Sequence, residues 1–261
     1  MATKTTNDST PATNDSTPAT VGAGAGNIRE VTIIVAAGSG TRFGSDVPKQ
    51  FLPLEGLPVV CHSVRSFSDT FPDGVVIVVL PAADFDHWRG VVAEACERSG
   101  IRLPLFAKGG ATRWESVKNG LSAIPEGVAA GAAVLVHDGA RPLIPVDVIN
   151  RVRSATRNTD AAIPAIEVTD SLRRLEDGTG PMSEPVNRAE YRAVQTPQGA
   201  SLWRMREAYS LPYSDAFTDD ASVLAEAGFV NQVLVKGSPE NIKITNPFDL
   251  EVARLLLSRR G

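Results

Sequence analysis

Short apolar, β-branched runs recur along most of the chain and are separated by segments of mixed polarity. Such continuous apolar runs are typical of strands buried on both faces of a parallel sheet. The first run, Val-Thr-Ile-Ile-Val-Ala-Ala, ends directly before a group of glycines. The strands predicted in this way cover residues 31–37, 75–80, 132–136, 161–166 and 230–235.

Between these runs, apolar residues recur at the three- and four-residue spacing of helices. In the first such segment, Val60, Val64 and Phe67 fall on one face together with Val59 and Ser63. Helices are predicted over residues 58–67, 84–98, 113–124, 146–156, 202–209, 219–227 and 247–257. Strands that alternate with helices form βαβ units. The pattern therefore predicts an α/β, Rossmann-like fold: a mostly parallel sheet with helices on both faces.

The N-terminal segment lacks this pattern. Residues 6–12 read TNDSTPA, residues 13–19 repeat them, and a Gly/Ala stretch follows at residues 22–26. These side chains bury too little apolar area to offset the entropy lost on ordering. Residues 1–28 are therefore predicted to be a disordered tail and linker, and residues 29–261 a single domain.

A second polar segment interrupts the domain at residues 167–192, and we call it the β-arm. It has no apolar face of helical length, and Asp177-Gly178 is a hairpin-type turn signal. Two extended strands that project from the main body are predicted. Because such an arm buries little against its own domain, we expect it to pack on a second subunit in a homodimer. A mobile surface hairpin is the alternative.

Composition excludes several classes of protein. The chain has 261 residues, of which 43% are hydrophobic, and its net charge of −4 gives no general affinity for nucleic acid or an anionic membrane. Cys61 and Cys96 have neither CxxC nor metal-ligand spacing, so two reduced thiols are predicted. No apolar stretch has the length of a bilayer, and the N-terminus lacks the pattern of a secretory signal. A cytoplasmic protein is expected.

The glycines after the first strand form a candidate anion site. This glycine loop reads Ala36-Ala37-Gly38-Ser39-Gly40-Thr41-Arg42-Phe43-Gly44 and is followed by Pro48-Lys49-Gln50. Glycines allow a sharp turn whose N–H groups face an anion, and ligands of open α/β sheets bind at this edge. Arg42 and Lys49 add two positive charges. The arrangement suits a triphosphate.

Two other phosphate-binding loops fit less well. The P-loop pattern GxxxxGK[ST] is absent, and the third glycine comes one residue too late for the dinucleotide pattern GxGxxG. A dinucleotide loop also opens directly into a helix, whereas residues 46–53 contain two prolines here. The glycines alone still leave a nicotinamide-dependent reductase as a remote alternative.

The longer string AAGxGxRx…PKQ resembles the opening motif of sugar-phosphate nucleotidyltransferases, in particular the 2-C-methyl-D-erythritol 4-phosphate cytidylyltransferase family. Further motifs of that family follow in order over residues 29–258. They are Gly109-Gly110 with Arg113 and Glu115-Ser116-Val117, then His137-Asp138-Gly139-Ala140-Arg141-Pro142, Thr169-Asp170-Ser171 with Asn187-Arg188, Gln195-Thr196-Pro197-Gln198, Phe217-Thr218-Asp219-Asp220-Ala221-Ser222 and Asn241-Ile242-Lys243-Ile244-Thr245. Ser171 replaces the usual Thr, and Asn187 stands where Asp is common.

The resemblance implies an enzyme of non-mevalonate isoprenoid precursor biosynthesis. In the reaction of that family, a phosphate oxygen of the polyol phosphate attacks the α-phosphorus of CTP and pyrophosphate leaves, and no general base is expected. Arg42 and Lys49 are expected to stabilise the transition state, and Arg188 and Lys243 to hold the attacking phosphate. Because Arg188 lies in the β-arm, we expect it to act in the active site of a partner subunit.

The resemblance also assigns the remaining contacts. The residues expected at CTP are Ala36, Ala37, Gly38, Ser39, Gly40, Gly110, Arg113 and Ser116, and those at the polyol phosphate are Asp138, Arg141, Ser171 and Thr218. Thr218 is also a candidate N-cap. Mg²⁺ is expected to be held mainly through the CTP phosphates, and no residue is assigned as a metal ligand. His137 is expected to form hydrogen bonds rather than act as a base. A cytidylyltransferase for ribitol 5-phosphate or a similar pentitol phosphate is the nearest alternative.

Overall fold

The structure, a computed structural model, describes residues 28–38, 47–176 and 178–259. Its strands β1 to β12 are Glu30–Val35, Pro53–Leu54, Leu57–Pro58, Val75–Leu80, Leu105–Lys108, Ala133–Asp138, Ala161–Glu167, Arg173–Leu175, Ser183–Pro185, Arg192–Val194, Gln198–Ser201 and Gln232–Lys236. Its helices α1 to α7 are Val59–Thr70, Phe85–Arg98, Arg113–Ser122, Val146–Ala155, Leu202–Ala208, Asp220–Glu226 and Pro247–Ser258. Short 3-10 turns cover Lys49–Phe51 and Arg188–Glu190.

One mixed, mostly parallel sheet forms the centre of the molecule. Strands β5, β4, β1 and β6 lie side by side and parallel. Strand β11 is antiparallel to both of its neighbours, β6 and β7. Strand β7 also pairs with β12, which is parallel to it, and with β10, which is antiparallel to it. The predicted α/β fold is confirmed.

Helices cover the sheet on both faces because its central strands are apolar on both sides. In β1, Ile34 packs into a core shared with α1, α2 and α4, whereas Val31 and Ile33 face a second core shared with α3, α5 and α6. All three side chains are fully buried. Helix α7 packs separately against the β2–β3 turn through Leu250 and Leu54.

Three strands of the main sheet are absent from the sequence prediction: β5, β10 and β11. Strand β11 reads Gln-Gly-Ala-Ser and is wholly buried, although it lacks β-branched residues. A Cβ atom at Gly199 would lie 2.9 Å from side-chain atoms of both Val152 and Thr156, so the glycine lets the α4 region approach the sheet. Its burial depends on neighbours that are distant in sequence.

The β-arm forms the extended hairpin that its sequence predicts. Strands β8 and β9 pair antiparallel in a separate two-stranded sheet. The connection covers residues 176–182 and is closed by a hydrogen bond from Glu176 N–H to Met182 O (3.2 Å), so it is longer than a tight turn at Asp177-Gly178. Asp177 lies outside the described residues.

Other expectations concern the core and the termini. Cys61 and Cys96 are buried free thiols, as predicted. The predicted tail lies outside the described part of the chain except for Ile28, which packs partly buried against the core. Within the described residues, none of the helices has both the length and the apolar character needed to span a bilayer.

Candidate active site

A pocket of about 500 Å³ opens at the carboxyl ends of β1 and β6. Its wall includes residues 36–38 of the glycine loop, residues 110–113 before and at the start of α3, and the side chains of Lys49, Asp138 and Lys243. Ligands of open α/β sheets bind at this edge. The fold therefore brings together residues from four of the sequence motifs.

Gln50 anchors the start of the glycine loop. Its Nε2 group donates hydrogen bonds to Ala36 O and Gly38 O, both at 2.7 Å. The side chain is 3% exposed and contributes to the pocket wall. The sequence alone predicts no role for Gln50, although it lies next to Lys49.

The turn before α3 is also fixed by its own side chains. Gly110 N–H donates to Ser116 Oγ (3.1 Å), which donates to Thr112 O (2.9 Å). Thr112 caps α3 by accepting Glu115 N–H, and the Glu115 carboxylate accepts Ala111 N–H at 2.6 Å. A Cβ atom at Gly110 would lie 2.3 Å from Glu115 Cβ, so only glycine fits this approach. The turn at this side of the pocket is thus held by its own hydrogen bonds.

Asp138, at the end of β6, forms ion pairs with three cationic side chains. Its carboxylate lies 2.9 Å from Lys243 Nζ and 3.6 Å from the Nε atoms of Arg113 and Arg141. Burial alone would raise the pKa of Asp138, but the charges of Arg113, Lys243 and Arg141 outweigh it and hold the pKa well below its usual range. Asp138 is therefore ionised and fixes Lys243 at the pocket wall.

Arg113 joins Asp138 to a second buried carboxylate. Its two terminal nitrogens donate to Asp220, which is fully buried and also accepts a 2.6 Å hydrogen bond from Tyr209 Oη. Burial lowers the pKa of Arg113, but Asp220 and Asp138 more than compensate and raise it. Asp220 and Tyr209 carried no assigned role, because nothing in the sequence shows that they meet Arg113.

His137 is fully buried beside the pocket. Thr196 Oγ1 accepts Asp138 N–H (3.0 Å), so its own proton is available to His137 Nδ1 at 3.1 Å. The imidazole then carries its proton on Nε2, which donates to Arg141 O at 3.0 Å. Burial lowers the pKa of His137 to about 4. His137 is a neutral hydrogen-bonding residue, as expected.

Four predicted substrate contacts lie apart from the pocket lining. The Arg141 side chain is 12% exposed, and its Nη1 donates to Asn241 O (2.8 Å), so it supports Asp138 and the Asn241 segment from behind. Arg188 and Ser171 lie exposed in the β-arm, where Arg188 donates to Thr169 O. Thr218 is exposed just before α6.

Thr218 is not the N-cap of α6, contrary to the sequence prediction. The cap is Asp219, whose carboxylate accepts Ser222 N–H at 2.9 Å while Ser222 Oγ accepts Asp219 N–H. A carboxylate one position later captures the orphan N–H group, and Thr218 contributes only its backbone N–H to Ser222 Oγ. Ser39, Gly40 and Arg42 lie outside the described residues.

No cluster of three or more His, Cys, Asp or Glu side chains suited to a metal ion occurs among the residues that the structure describes. At the pocket, the oxygens of Asp138 are already shared by cationic side chains.

An open α/β sheet whose carboxyl edge carries the start of a glycine loop, Lys49 and Lys243 in one pocket is the arrangement of the nucleotidyltransferase class. The family model of 2-C-methyl-D-erythritol 4-phosphate cytidylyltransferase (IspD) matches residues 31–259. The chain belongs to this family.

Individual relatives agree with this assignment. The 2-C-methyl-D-erythritol 4-phosphate cytidylyltransferase of Bacteroides thetaiotaomicron is 42% identical over 231 residues, which are 88% of this chain and 100% of the relative. The enzyme of the same name from Phocaeicola vulgatus is 43% identical over 86% of this chain and 98% of its own length.

Solved structures show the same fold. The crystal structure of the Thermus thermophilus 2-C-methyl-D-erythritol 4-phosphate cytidylyltransferase matches with a TM-score of 0.65 and 31% identity, over 88% of this chain and 99% of that one. The bifunctional IspDF of Campylobacter jejuni matches with a TM-score of 0.68 and 27% identity, over 85% of this chain and 53% of that one.

Proposed function

We propose that this protein transfers a cytidylyl group from CTP to 2-C-methyl-D-erythritol 4-phosphate, which yields 4-diphosphocytidyl-2-C-methyl-D-erythritol and pyrophosphate. The observation that carries the proposal is the meeting of Lys49, Lys243 and Asp138 with the glycine loop in one pocket, in a chain of this family. Family membership favours neither the pentitol phosphate enzyme nor the reductase.

The chemistry needs positioning and charge compensation. A phosphate oxygen of the acceptor forms a bond to the α-phosphorus of CTP, and the bond from that phosphorus to the bridging oxygen of the β-phosphate breaks. A phosphate dianion is already nucleophilic near neutral pH, so no side chain must remove a proton. His137 is fully buried and both of its ring nitrogens are hydrogen-bonded within the protein, so it is not placed to accept a proton from a substrate. The catalytic demand is to offset charge on the transferring group.

The cationic residues meet this demand. Lys49 and Arg42 stabilise the charge that builds at the α-phosphorus and on the leaving pyrophosphate. Lys243, held by Asp138 at 2.9 Å, binds the acceptor phosphate together with Arg188. Arg141 supports Asp138, and Ser171 and Thr218 contact the polyol.

The glycine loop and the turn before α3 bind the nucleotide. Backbone N–H groups in residues 37–40 hold the triphosphate, and Gly110 and Ser116 contact the nucleoside. Because both terminal nitrogens of Arg113 already bond to Asp220, we propose that Arg113 shapes the pocket wall through its ion pairs while it lines the nucleotide site.

The described residues of the pocket offer few free oxygens to a metal ion, and this agrees with Mg²⁺ that enters with CTP. Asp138 is a carboxylate at the pocket, and its oxygens are shared by Lys243, Arg113 and Arg141. We propose that the ion is held through the CTP phosphates and water, as Mg²⁺ commonly is. When bound, it neutralises phosphate charge.

We further propose a homodimer formed through the β-arm, in the cytoplasm. The hairpin leaves apolar side chains in solvent: Leu175 is 42% exposed and Met182 is 62% exposed. Covering such residues on a second subunit would stabilise the arm. Arg188, at the base of the arm, then serves the partner's active site.

Pyrophosphate release tests the reaction. The purified protein is incubated with CTP, Mg²⁺ and 2-C-methyl-D-erythritol 4-phosphate, and a parallel reaction contains ribitol 5-phosphate. Release only with the methylerythritol phosphate is expected. Release only with the pentitol phosphate would move the protein to the alternative substrate, and silence in both reactions would contradict the proposal.

A further inference from the structure

Gln50 occupies a buried position between two parts of the proposed active site. It belongs to the 3-10 turn Lys49–Phe51. Its side-chain amide donates one hydrogen bond to Ala36 O and one to Gly38 O of the glycine loop, each 2.7 Å long. With 3% exposure, it has little access to water that could replace either bond. Two such short bonds from one buried group define a rigid link.

We propose that Gln50 is a positioning residue that sets the backbone of the glycine loop for the triphosphate and holds Lys49 against it. This inference rests on the proposed function, because it assigns the loop to CTP. Gln50 acts through the backbone at residues 36–38 and through Lys49, and it transfers no group itself.

The geometry of the peptide unit explains how Gln50 acts on the loop. In a planar trans peptide, the carbonyl and the N–H point in opposite directions. Because Ala36 O faces the Gln50 amide, the N–H of Ala37 faces away from Gln50. A carbonyl turned towards a phosphate would repel it, whereas an N–H attracts it. By binding the carbonyls, Gln50 keeps them away from the anion.

The same turn also fixes Lys49. Its next neighbour but one, Phe51, is 5% exposed and stacks on Trp88 with ring centroids 4.1 Å apart and an interplanar angle of 7°. Leu52 N–H donates to Lys49 O at 3.3 Å. Lys49 therefore extends from a turn with two anchors, Phe51 on the core side and Gln50 on the side of the glycine loop.

A donor is needed at this position, not only a side chain of this size. Methionine has nearly the volume and length of glutamine and fills a buried site, but it donates no hydrogen bond. Gln50→Met therefore separates the proposed role from simple packing. The matched control is Gln232→Met, since Gln232 Nε2 also donates to two carbonyls, Ala221 O (2.8 Å) and Phe229 O (3.0 Å), outside the pocket lining.

The experiment compares the binding of CTP and CMP by calorimetry with pyrophosphate release at saturating substrates. Gln50→Met is expected to weaken CTP binding about tenfold and to lower kcat at least about tenfold, while CMP affinity changes less than about threefold. Gln232→Met should lower the melting temperature by no more than Gln50→Met does, because Gln232 is only partly buried, and should change neither the CTP-to-CMP affinity ratio nor kcat.

Two results would overturn the inference: a wild-type CTP-to-CMP ratio and kcat in Gln50→Met, or an equal loss of CTP and CMP affinity. If Gln50→Met does not fold, Gln50→Asn is used in its place, because the asparagine side chain is one methylene too short to reach both carbonyls. The CTP-to-CMP affinity ratio then tests the inference in that variant. Binding is measured without the polyol phosphate. If the proposed polyol phosphate is not the substrate, the wild-type protein will show no turnover. The CTP-to-CMP affinity ratio still tests the role of Gln50, because it is measured without that substrate.

Discussion

Arg113, which lines the pocket, and the fully buried Asp220, 107 positions further along the sequence, form a two-point ion pair. Arg113 Nη1 and Nη2 donate to the two carboxylate oxygens of Asp220 at 3.1 and 2.7 Å. The pair joins the first residue of α3 to the first residue of α6. It thereby connects the turn proposed to bind the nucleoside with the segment of Thr218, which is proposed to contact the polyol.

Asp220→Asn is expected to destabilise the protein by about 3 kcal/mol, because it leaves the partly buried Arg113 without its bidentate counterion. The free energy of unfolding in urea measures this change. The control is Glu184→Gln in the β-arm, where the ion pair with Arg174 is largely exposed and the expected change stays below about 1 kcal/mol. Equal stability changes in the two variants would show that burial adds nothing to the Arg113–Asp220 pair.

Much of the fold could be predicted from the sequence because its central strands are continuous apolar runs. The run Val75–Leu80 is apolar throughout, and the structure has a strand at those same residues. Strand β11 has no such signal, since Gly199 is buried by the approach of the α4 region and Ala200 by the core that includes α5 and α6. The hydrophobic pattern predicts strands whose own residues are apolar. It misses strands of small or polar residues that are buried only by contacts with distant parts of the chain.

The same distinction applies to the candidate site. Lys49, Asp138 and Lys243 were predicted from ordered motifs, and the structure places all three on one pocket wall. The roles of Gln50 and Asp220 could not be predicted, because they depend on hydrogen-bond partners that come close only when the chain folds. A glutamine and an aspartate are ordinary surface residues until their hydrogen bonds are known.

Lys49→Ala is expected to lower kcat at least about 100-fold, while CTP affinity stays within about tenfold, because the lost charge acts mainly in the transition state. Steady-state kinetics and calorimetry measure the two quantities. Lys118→Ala, which removes an exposed ammonium beside Trp114 on α3, is the control and should leave both unchanged. An unaltered kcat in Lys49→Ala would remove Lys49 from the proposed role.

The buried His137 predicts a loss of stability in mild acid. Its pKa is lowered to about 4 in the folded protein, against 6.5 as its ordinary value. Between these values the unfolded chain binds a proton that the folded chain excludes, so stability falls as the pH falls from about 6.5 to 4. The contribution of His137 over this window is about 3 kcal/mol. Burial also lowers the pKa of His62, which adds to the same trend.

Urea unfolding at several pH values between 4 and 7 tests this prediction. In His137→Gln, the amide can still donate and accept a hydrogen bond but does not titrate, so the slope of stability against pH should become shallower even if the variant is less stable throughout. The remaining slope should fall further in a double variant that also carries His62→Gln. An unchanged slope in His137→Gln would mean that His137 titrates normally.

Removal of the β-arm tests the proposed dimer. Strands β8 and β9 of the arm pair with each other in a sheet separate from the main one, and residues 169–188 lie between the main-sheet strands β7 and β10, so deletion of residues 169–188 should leave a folded domain. This variant is expected to be an inactive monomer by light scattering. A deletion variant that remains dimeric would assign the subunit contact to another surface.

Mixed dimers test whether Arg188 acts across the subunit boundary. Arg188→Ala and Lys49→Ala should each be inactive as homodimers. If Arg188 serves the partner's site, a dimer with one subunit of each kind has one site with both residues and one site with neither. Mixing the two variants under conditions of subunit exchange should then restore about a quarter of wild-type activity, since half of the dimers would be mixed and each would have one working site. If Arg188 served its own subunit, every site would lack one residue and mixing would restore nothing. Co-purification with two different affinity tags isolates the mixed dimer, whose activity should be about half that of the wild type.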